Sequence, residues 1–401
     1  MTRTKRMYIA MVVMFIGVTL ILISDTLAGE KNKQDQCNGG NGYSSVVNND
    51  TENQIKRDKM HQPYCIMENS SSDAFAEDTK KVFILHSYNE GHICGQPQHD
   101  GVINQLNENG FIVGDNLSVY TYYMETKSKN NTPKLIQEQG KLALEKIRVF
   151  GPDVLVTLDD NAFRTVALEL ADTALPIVFS GMNGRPEKYD KMRPCINSWD
   201  SPGHNITGVY EKLHIADAFR VHSNLFPGLK KITLITDYSP TGKAIYSQIL
   251  HEFIEQQPVC RWEILIAKSW ENYQEIITEI NNDPDVGGVY DVALLLNDKE
   301  GKTYTAPDII KWTLENSKKP EIAVNYAFVK LGYFGGAAVD FFAMGKEVGL
   351  KAVKILKGQN AGDIPITQCE RYALAFNLSR AKALNLTVPD EYILASDDIF
   401  F

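Results

Sequence analysis

The stretch from His204 to Glu255, HNITGVYEKLHIADAFRVHSNLFPGLKKITLITDYSPTGKAIYSQILHEFIE, decides the fold. A short apolar-edged run over 206–210 leads into a helical pattern with Leu213, Ala216, Phe219 and Leu225 on one face. Pro227 and Gly228 stop that helix, and a buried-type strand is predicted over 231–236. The turn Asp237-Tyr238-Ser239-Pro240-Thr241-Gly242 opens the next helix. Strand, polar loop and helix start, in that order, put side chains at the carboxyl edge of a parallel sheet.

The same grammar runs outward in both directions. Before the stretch, strands are predicted over 80–85, 116–124, 154–158 and 176–179, with helices over 98–109, 134–149 and 162–170. After it come strands over 262–267, 291–296, 321–324, 365–366 and 372–376, with helices over 273–280, 306–316, 342–357 and 379–384. Strands alternating with helices indicate an α/β fold of two doubly wound parallel-sheet lobes.

Composition bounds the function. The chain has 401 residues, 43% of them hydrophobic and 23% charged, with a formal net charge of −9. Such an acidic surface argues against nucleic acid, which needs a basic footprint. Arg3, Lys5 and Arg6 precede an uncharged run over 7–24 and the small-residue site Thr26-Leu27-Ala28, the pattern of a signal peptide over 1–28, or alternatively an uncleaved anchor. The protein is therefore expected to be exported, to the periplasm or another extracytoplasmic space. Residues 29–79 are rich in Asn, Asp, Gln, Ser and Lys without apolar periodicity, and read as a disordered tether. The six cysteines, at 37, 65, 94, 195, 260 and 369, permit disulfides in an oxidising compartment without specifying a pairing.

Three further stretches resemble one family. They are Pro176-Ile177-Val178-Phe179-Ser180-Gly181 followed by Gly203-His204-Asn205-Ile206-Thr207-Gly208, the run from Gly345 to Gly358 with Asp363-Ile364-Pro365, and Asn377-Leu378-Ser379 with Ala381 to Pro389. Together they resemble the exported substrate-binding proteins of ABC transporters with a type I periplasmic-binding fold, in the branch related to tryptophan and tyrosine uptake. The likeness spans roughly residues 80–401. The His- and Cys-containing loop after the first strand departs from the pattern. The resemblance implies two lobes joined by a three-segment hinge, with crossings near Thr207, Leu331 and Pro365. The first lobe would then hold residues 80–207 and 332–364, and the second 208–331 and 365–401. It also implies a monomer that hands a small polar or amino-acid-like ligand to an ABC permease. A sensing protein acting in trans on a membrane kinase or chemoreceptor is the alternative.

Candidate binding residues are those at strand ends. In the first lobe they are Ser87 and Tyr88, then Asp159, Asp160 and Asn161, then Ser180, Gly181, Met182 and Asn183, whose backbone amides suggest a carboxylate nest. In the second lobe region they are Tyr210, Glu211, Asp237, Ser239, Thr241, Asn297, Asp298, Asn325 and Phe328, several of which are equally explained as helix caps. His86, His92, Cys94 and His99 offer a rival reading as a metal-capture loop, although their spacing matches no closed site and Cys94 is expected in a disulfide instead. No nucleophile elbow, zinc-protease, phosphate-loop or dinucleotide motif occurs at a fitting element, so neither catalysis nor a cofactor is expected.

Overall fold

A computed structural model of the chain describes residues 79–401 apart from 293 and 294. The expected signal peptide, the tether as far as residue 78, and Cys37 and Cys65 lie outside the described residues. Among the described residues, no helix is long and apolar enough to cross a membrane.

The first sheet is built from β1 (Lys80–His86), β2 (Leu117–Tyr123), β3 (Val154–Leu158), β4 (Ile177–Met182), β5 (Ile206–Tyr210) and β13 (Thr367–Gln368). Their order is β2-β1-β3-β4-β5-β13 and every pair is parallel. β3, β4 and β5 are buried at every position, as expected of strands covered on both faces, whereas edge strand β2 is mostly half-buried. The chain order reverses between β1 and β3, which opens a crevice at their carboxyl ends.

The second lobe repeats the device. β6 (Lys231–Asp237), β7 (Arg261–Ala267), β8 (Val286–Asp291) and β11 (Glu321–Ile322) form a parallel sheet in the order β7-β6-β8-β11. β12 (Gly335–Val339) continues it through a bond from Val339 N–H to Val324 O of 3.1 Å, then pairs antiparallel with β14 (Tyr372–Asn377), beside β15 (Asp398–Phe400). A hairpin of β9 (Leu295–Asn297) and β10 (Thr303–Thr305) follows β8.

Strand pairing moves all three crossings from their expected places. β5 stays in the first sheet through Tyr210, so the chain leaves that lobe at Glu211, not at Thr207. Gly335 and Gly336 pair with Phe376 and Ala375 inside β12, so the second crossing falls not near Leu331 but at Asp340. β13 pairs with β5, which delays the third crossing from Pro365 to residues 369–371. The three crossing segments touch. His214 Nε2 lies 2.9 Å from Cys369 O, Lys212 pairs with Glu370 at 2.7 Å, and Arg371 pairs with Asp340 at 3.1 Å.

Helices α1 (Gly95–Glu108) and α10 (Phe341–Leu356) pack together over the first sheet at very short range. A Cβ on Gly345 would lie 2.1 Å from Gln98 O, and one on Gly101 2.3 Å from Phe342 O. The strand expected over 291–296 is divided instead: β8 ends at Asp291 and the following residues lead into the hairpin. The helix expected over 162–170 is short, Asp160–Ala162, and runs on as a π-helical turn, Phe163–Ala167. Cys94, Cys195, Cys260 and Cys369 are free thiols. Among the described residues no disulfide forms at Cys94, where one was expected; this residue is the N-cap of α1.

Candidate functional site

At the β1/β3 reversal, the residues expected there do converge. Asp159 has a positive φ of 78° and caps the helix after β3, its carboxylate accepting the Asn161 N–H. Its Oδ2 accepts from Tyr88 Oη at 3.0 Å and meets Lys127 Nζ at 3.0 Å. The Tyr88 ring stacks on His92 with centroids 4.4 Å apart. Burial first, and then the Asp159 charge, holds the Tyr88 phenol well above its ordinary value. Next in sequence, Asp160 accepts from the backbone N–H of Asn183 (3.1 Å) and Gly184 (3.0 Å) and from Tyr189 Oη. Burial and then neighbouring Asp159 push its carboxyl up.

Glu211, the first residue beyond β5, joins this acidic floor. Burial, followed by repulsion from Asp159 and Asp160, pushes its carboxyl up to about 8. A bond from the Asn183 side chain and the Lys127 charge act in the opposite direction. Lys127 is thus the cation shared by a cluster of three carboxylates.

The floor backs onto a cavity of about 440 Å³ lined by both lobes. From the first lobe come Asn183, Tyr210 and helix α4 (Pro186–Asp190) with its flanks; from the second comes helix α6 (Pro240–Glu255), through Lys243, Ser247, Gln248 and His251. Cavities that take small solutes have this order of volume. Tyr210 Oη donates to Asn183 O at 3.4 Å, and Gln248 Nε2 donates to Glu211 O, so cavity wall and acidic floor are one bonded unit. A second hollow, of about 860 Å³, lies at the amino ends of β6 and β7, away from the strand ends that carry these groups.

The remaining expected residues divide by environment. Ser87 is fully buried, and its Oγ accepts the Ala162 N–H at 2.9 Å, which ties β1 to the helix after β3. Asn161 bonds Thr126 and Arg164 at the rim. Ser180, Gly181 and Met182 are not an exposed loop: they complete β4 and are buried, with Ser180 Oγ donating to Gln98 at 2.7 Å. The expected nest of amides is therefore displaced one step onward, to Asn183 and Gly184, where Asp160 already occupies it.

In the second lobe, Asp237 accepts the N–H groups of Ser239 (2.8 Å) and Leu295 (3.1 Å), and Ser239 caps α6, with Thr241 half-buried in its first turn. Asn297 and Asp298 sit at the exposed hairpin, bonded to Thr303 and to the N–H groups of Glu300 and Lys302. Asn325 caps a short helix by accepting the Phe328 N–H at 3.2 Å, while the Phe328 ring is core. Of all the expected residues, Asn183 and Tyr210 line the cavity; Asp237, Ser239, Thr241, Asn297, Asp298, Asn325 and Phe328 do not.

The histidine loop does not assemble a metal trap. His86 and His99 bond each other at 3.0 Å, whereas His92 lies on Tyr88 and accepts the Cys94 N–H at 3.1 Å. Among the described residues, no group of three or more His, Cys, Asp or Glu is placed to hold an ion.

Sequence reasoning missed Lys127, Tyr189, Arg185, Lys243 and Gln248. The last two lie on a helix face whose partner lobe no local pattern reveals; Arg185-Pro186 directly after Asn183-Gly184 was the one usable signal.

Comparisons with known proteins agree with this geometry. The chain is 23% identical over 286 residues to a tyrosine-binding protein of Clostridioides difficile (strain R20291), covering 71% of this chain and 76% of that relative. A Streptococcus pneumoniae ABC domain solved in complex with L-Trp superposes with a TM-score of 0.60 at 17% identity, covering 80% of this chain and all of that one (100%). A ligand-free, open substrate-binding protein with adhesive properties from Clostridium difficile gives 0.58 at 18% identity, over 77% of this chain and 96% of that one. The fold is that of type I periplasmic binding proteins. The family model described as ABC transporter substrate binding protein matches residues 92–399, and with that extent the chain belongs to the ABC transporter substrate binding protein family.

Proposed function

We propose that the protein is the extracytoplasmic solute-binding component of an ABC importer, and that it captures a small polar, amino-acid-like solute between its lobes for delivery to a membrane permease. The carrying observation is the cavity of about 440 Å³, whose walls come from the strand ends of one lobe and a helix of the other. Asp159 supplies negative charge behind Tyr210 and Asn183, and Glu211, whose carboxyl is raised to about 8, adds a carboxyl acceptor beside it, a pairing suited to an ammonium group. The similar tyrosine-binding protein and the similar ABC domain solved with L-Trp favour an amino-acid-like ligand. Binding acts as a monomer, by hinge closure at the three crossing segments.

A thermal-shift screen of amino acids, nucleosides and small carboxylates tests this reading. A solute at about 100 times its Kd stabilises the folded state by roughly 2.7 kcal/mol. At least one amino-acid-like solute is expected to raise Tm, and Asp159→Ala to weaken it at least tenfold. A screen without any shift, or a shift indifferent to Asp159→Ala and Tyr210→Ala, contradicts the reading.

A further inference from the structure

Resting on the reading that the inter-lobe cavity binds a solute, we propose that this solute carries net negative charge: an amino-acid-like molecule with a second carboxylate. Arg185, Lys188, Lys191 and Lys243 line the cavity against one carboxylate, Glu187. That carboxylate is already engaged, by Arg185 at 3.1 Å and by Trp199 Nε1 at 2.9 Å. Lys188, Lys191 and Lys243 form no ion pair among the described residues. The chain as a whole is at −9, so this wall is a local reversal of charge and not a reflection of composition.

The cations stand on opposite lobes. Lys188 belongs to α4 and Lys243 to α6, so drawing the lobes together brings like charges toward each other. An anion between them removes that opposition and gains from both sides, and a cleft lined by one sign of charge concentrates such a solute. A zwitterion with a single carboxylate leaves most of these cations uncompensated; a second carboxylate matches them better.

The amine end has its own counterpart. Gln248 lines the cavity, is 2% exposed, and donates through Nε2 to Glu211 O, while its Oε1 has no partner among the described residues. A buried amide oxygen left unpaired is costly, and an N–H donor on the solute would satisfy it.

Calorimetric titration with L-glutamate, L-aspartate, glutarate and L-tyrosine tests the proposal. One of the two acidic amino acids is expected to bind at least tenfold more tightly than L-tyrosine. Its affinity should fall as salt rises, and fall several-fold in Lys243→Gln, an exposed position where the charge can be removed without disturbing the core. Binding of L-tyrosine with neither acidic amino acid bound overturns the charge assignment and leaves the solute-binding reading standing. Glutarate binding as tightly as L-glutamate overturns the amine end. An unchanged affinity in both Lys243→Gln and Lys191→Gln overturns the role of the wall. Failure of the whole thermal-shift screen is a different result, and removes the solute-binding reading itself.

Discussion

Glu211 concentrates the chemistry of the site in one side chain. It is 6% exposed, close to two other carboxylates, and its carboxyl is raised from 4.5 to about 8 by burial and then by Asp159 and Asp160. The folded protein therefore keeps a proton that the unfolded chain releases above its ordinary value. The stability this contributes is complete below about 4.5 and is lost as pH rises through about 8. Glu211→Gln keeps the shape and removes the titration. Its Tm is expected to exceed that of the wild type at pH 9, by the equivalent of up to about 5 kcal/mol at roughly 1.4 kcal/mol per pH unit, and the gain is expected to shrink toward pH 5. A gain independent of pH, in melts across that range, would mean that Glu211 is charged in the folded protein at every pH tested.

At this scale the sequence was readable where a residue follows a strand, and unreadable where it lies on a helix. Tyr88, Asp159, Asn183, Tyr210 and Glu211 could be picked out because a polar side chain after an apolar run marks a strand end. Lys188, Lys191 and Lys243 look like any solvated lysine until the opposite lobe is in view. Asn325 was misleading for a related reason: a polar residue at a strand end is equally often a helix cap, and here the bond to Phe328 N–H accounts for it.

Among elements, the α1/α10 pair is the tightest constraint. Gln98 O and the missing side chain of Gly345 occupy the same space, so the two backbones approach as only glycine permits. Gly345→Ala must separate the helices or shift α10 over the sheet. A loss of about 1–3 kcal/mol is expected, the usual cost of overpacking, read from urea denaturation with an unchanged m-value. A loss under about 0.5 kcal/mol would show that the interface accommodates a methyl group.

The elements themselves followed from periodicity wherever apolar runs were continuous, as in β3 and β6. Two were hidden by glycine. Gly287 and Gly288 disguised β8, which shifted its expected place toward the apolar residues beyond Asp291. Gly335 and Gly336 hid β12, because a glycine pair in a strand has no side chains with which to show alternation. The second misreading displaced a lobe boundary, since a boundary is set by which sheet a strand joins and pairing is a long-range property.

For the whole molecule, the consequence is a hinge of three short segments, at residues 211–214, 340 and 369–371, linked to each other by His214, Lys212–Glu370 and Arg371–Asp340. Exposed ion pairs of this kind contribute little each, so they keep the segments together without fixing the angle between lobes. The acidic floor belongs to one lobe and α6 to the other, so a solute touching both favours the closed arrangement only while it is bound. The most direct measurement is small-angle scattering of the protein alone and saturated with the tightest-binding solute of the screen. The radius of gyration is expected to fall on saturation in the wild type and to stay unchanged in Asp159→Ala at the same solute concentration. A solute that binds tightly with no change in the radius of gyration would sit on one lobe alone, and capture between the lobes would be contradicted.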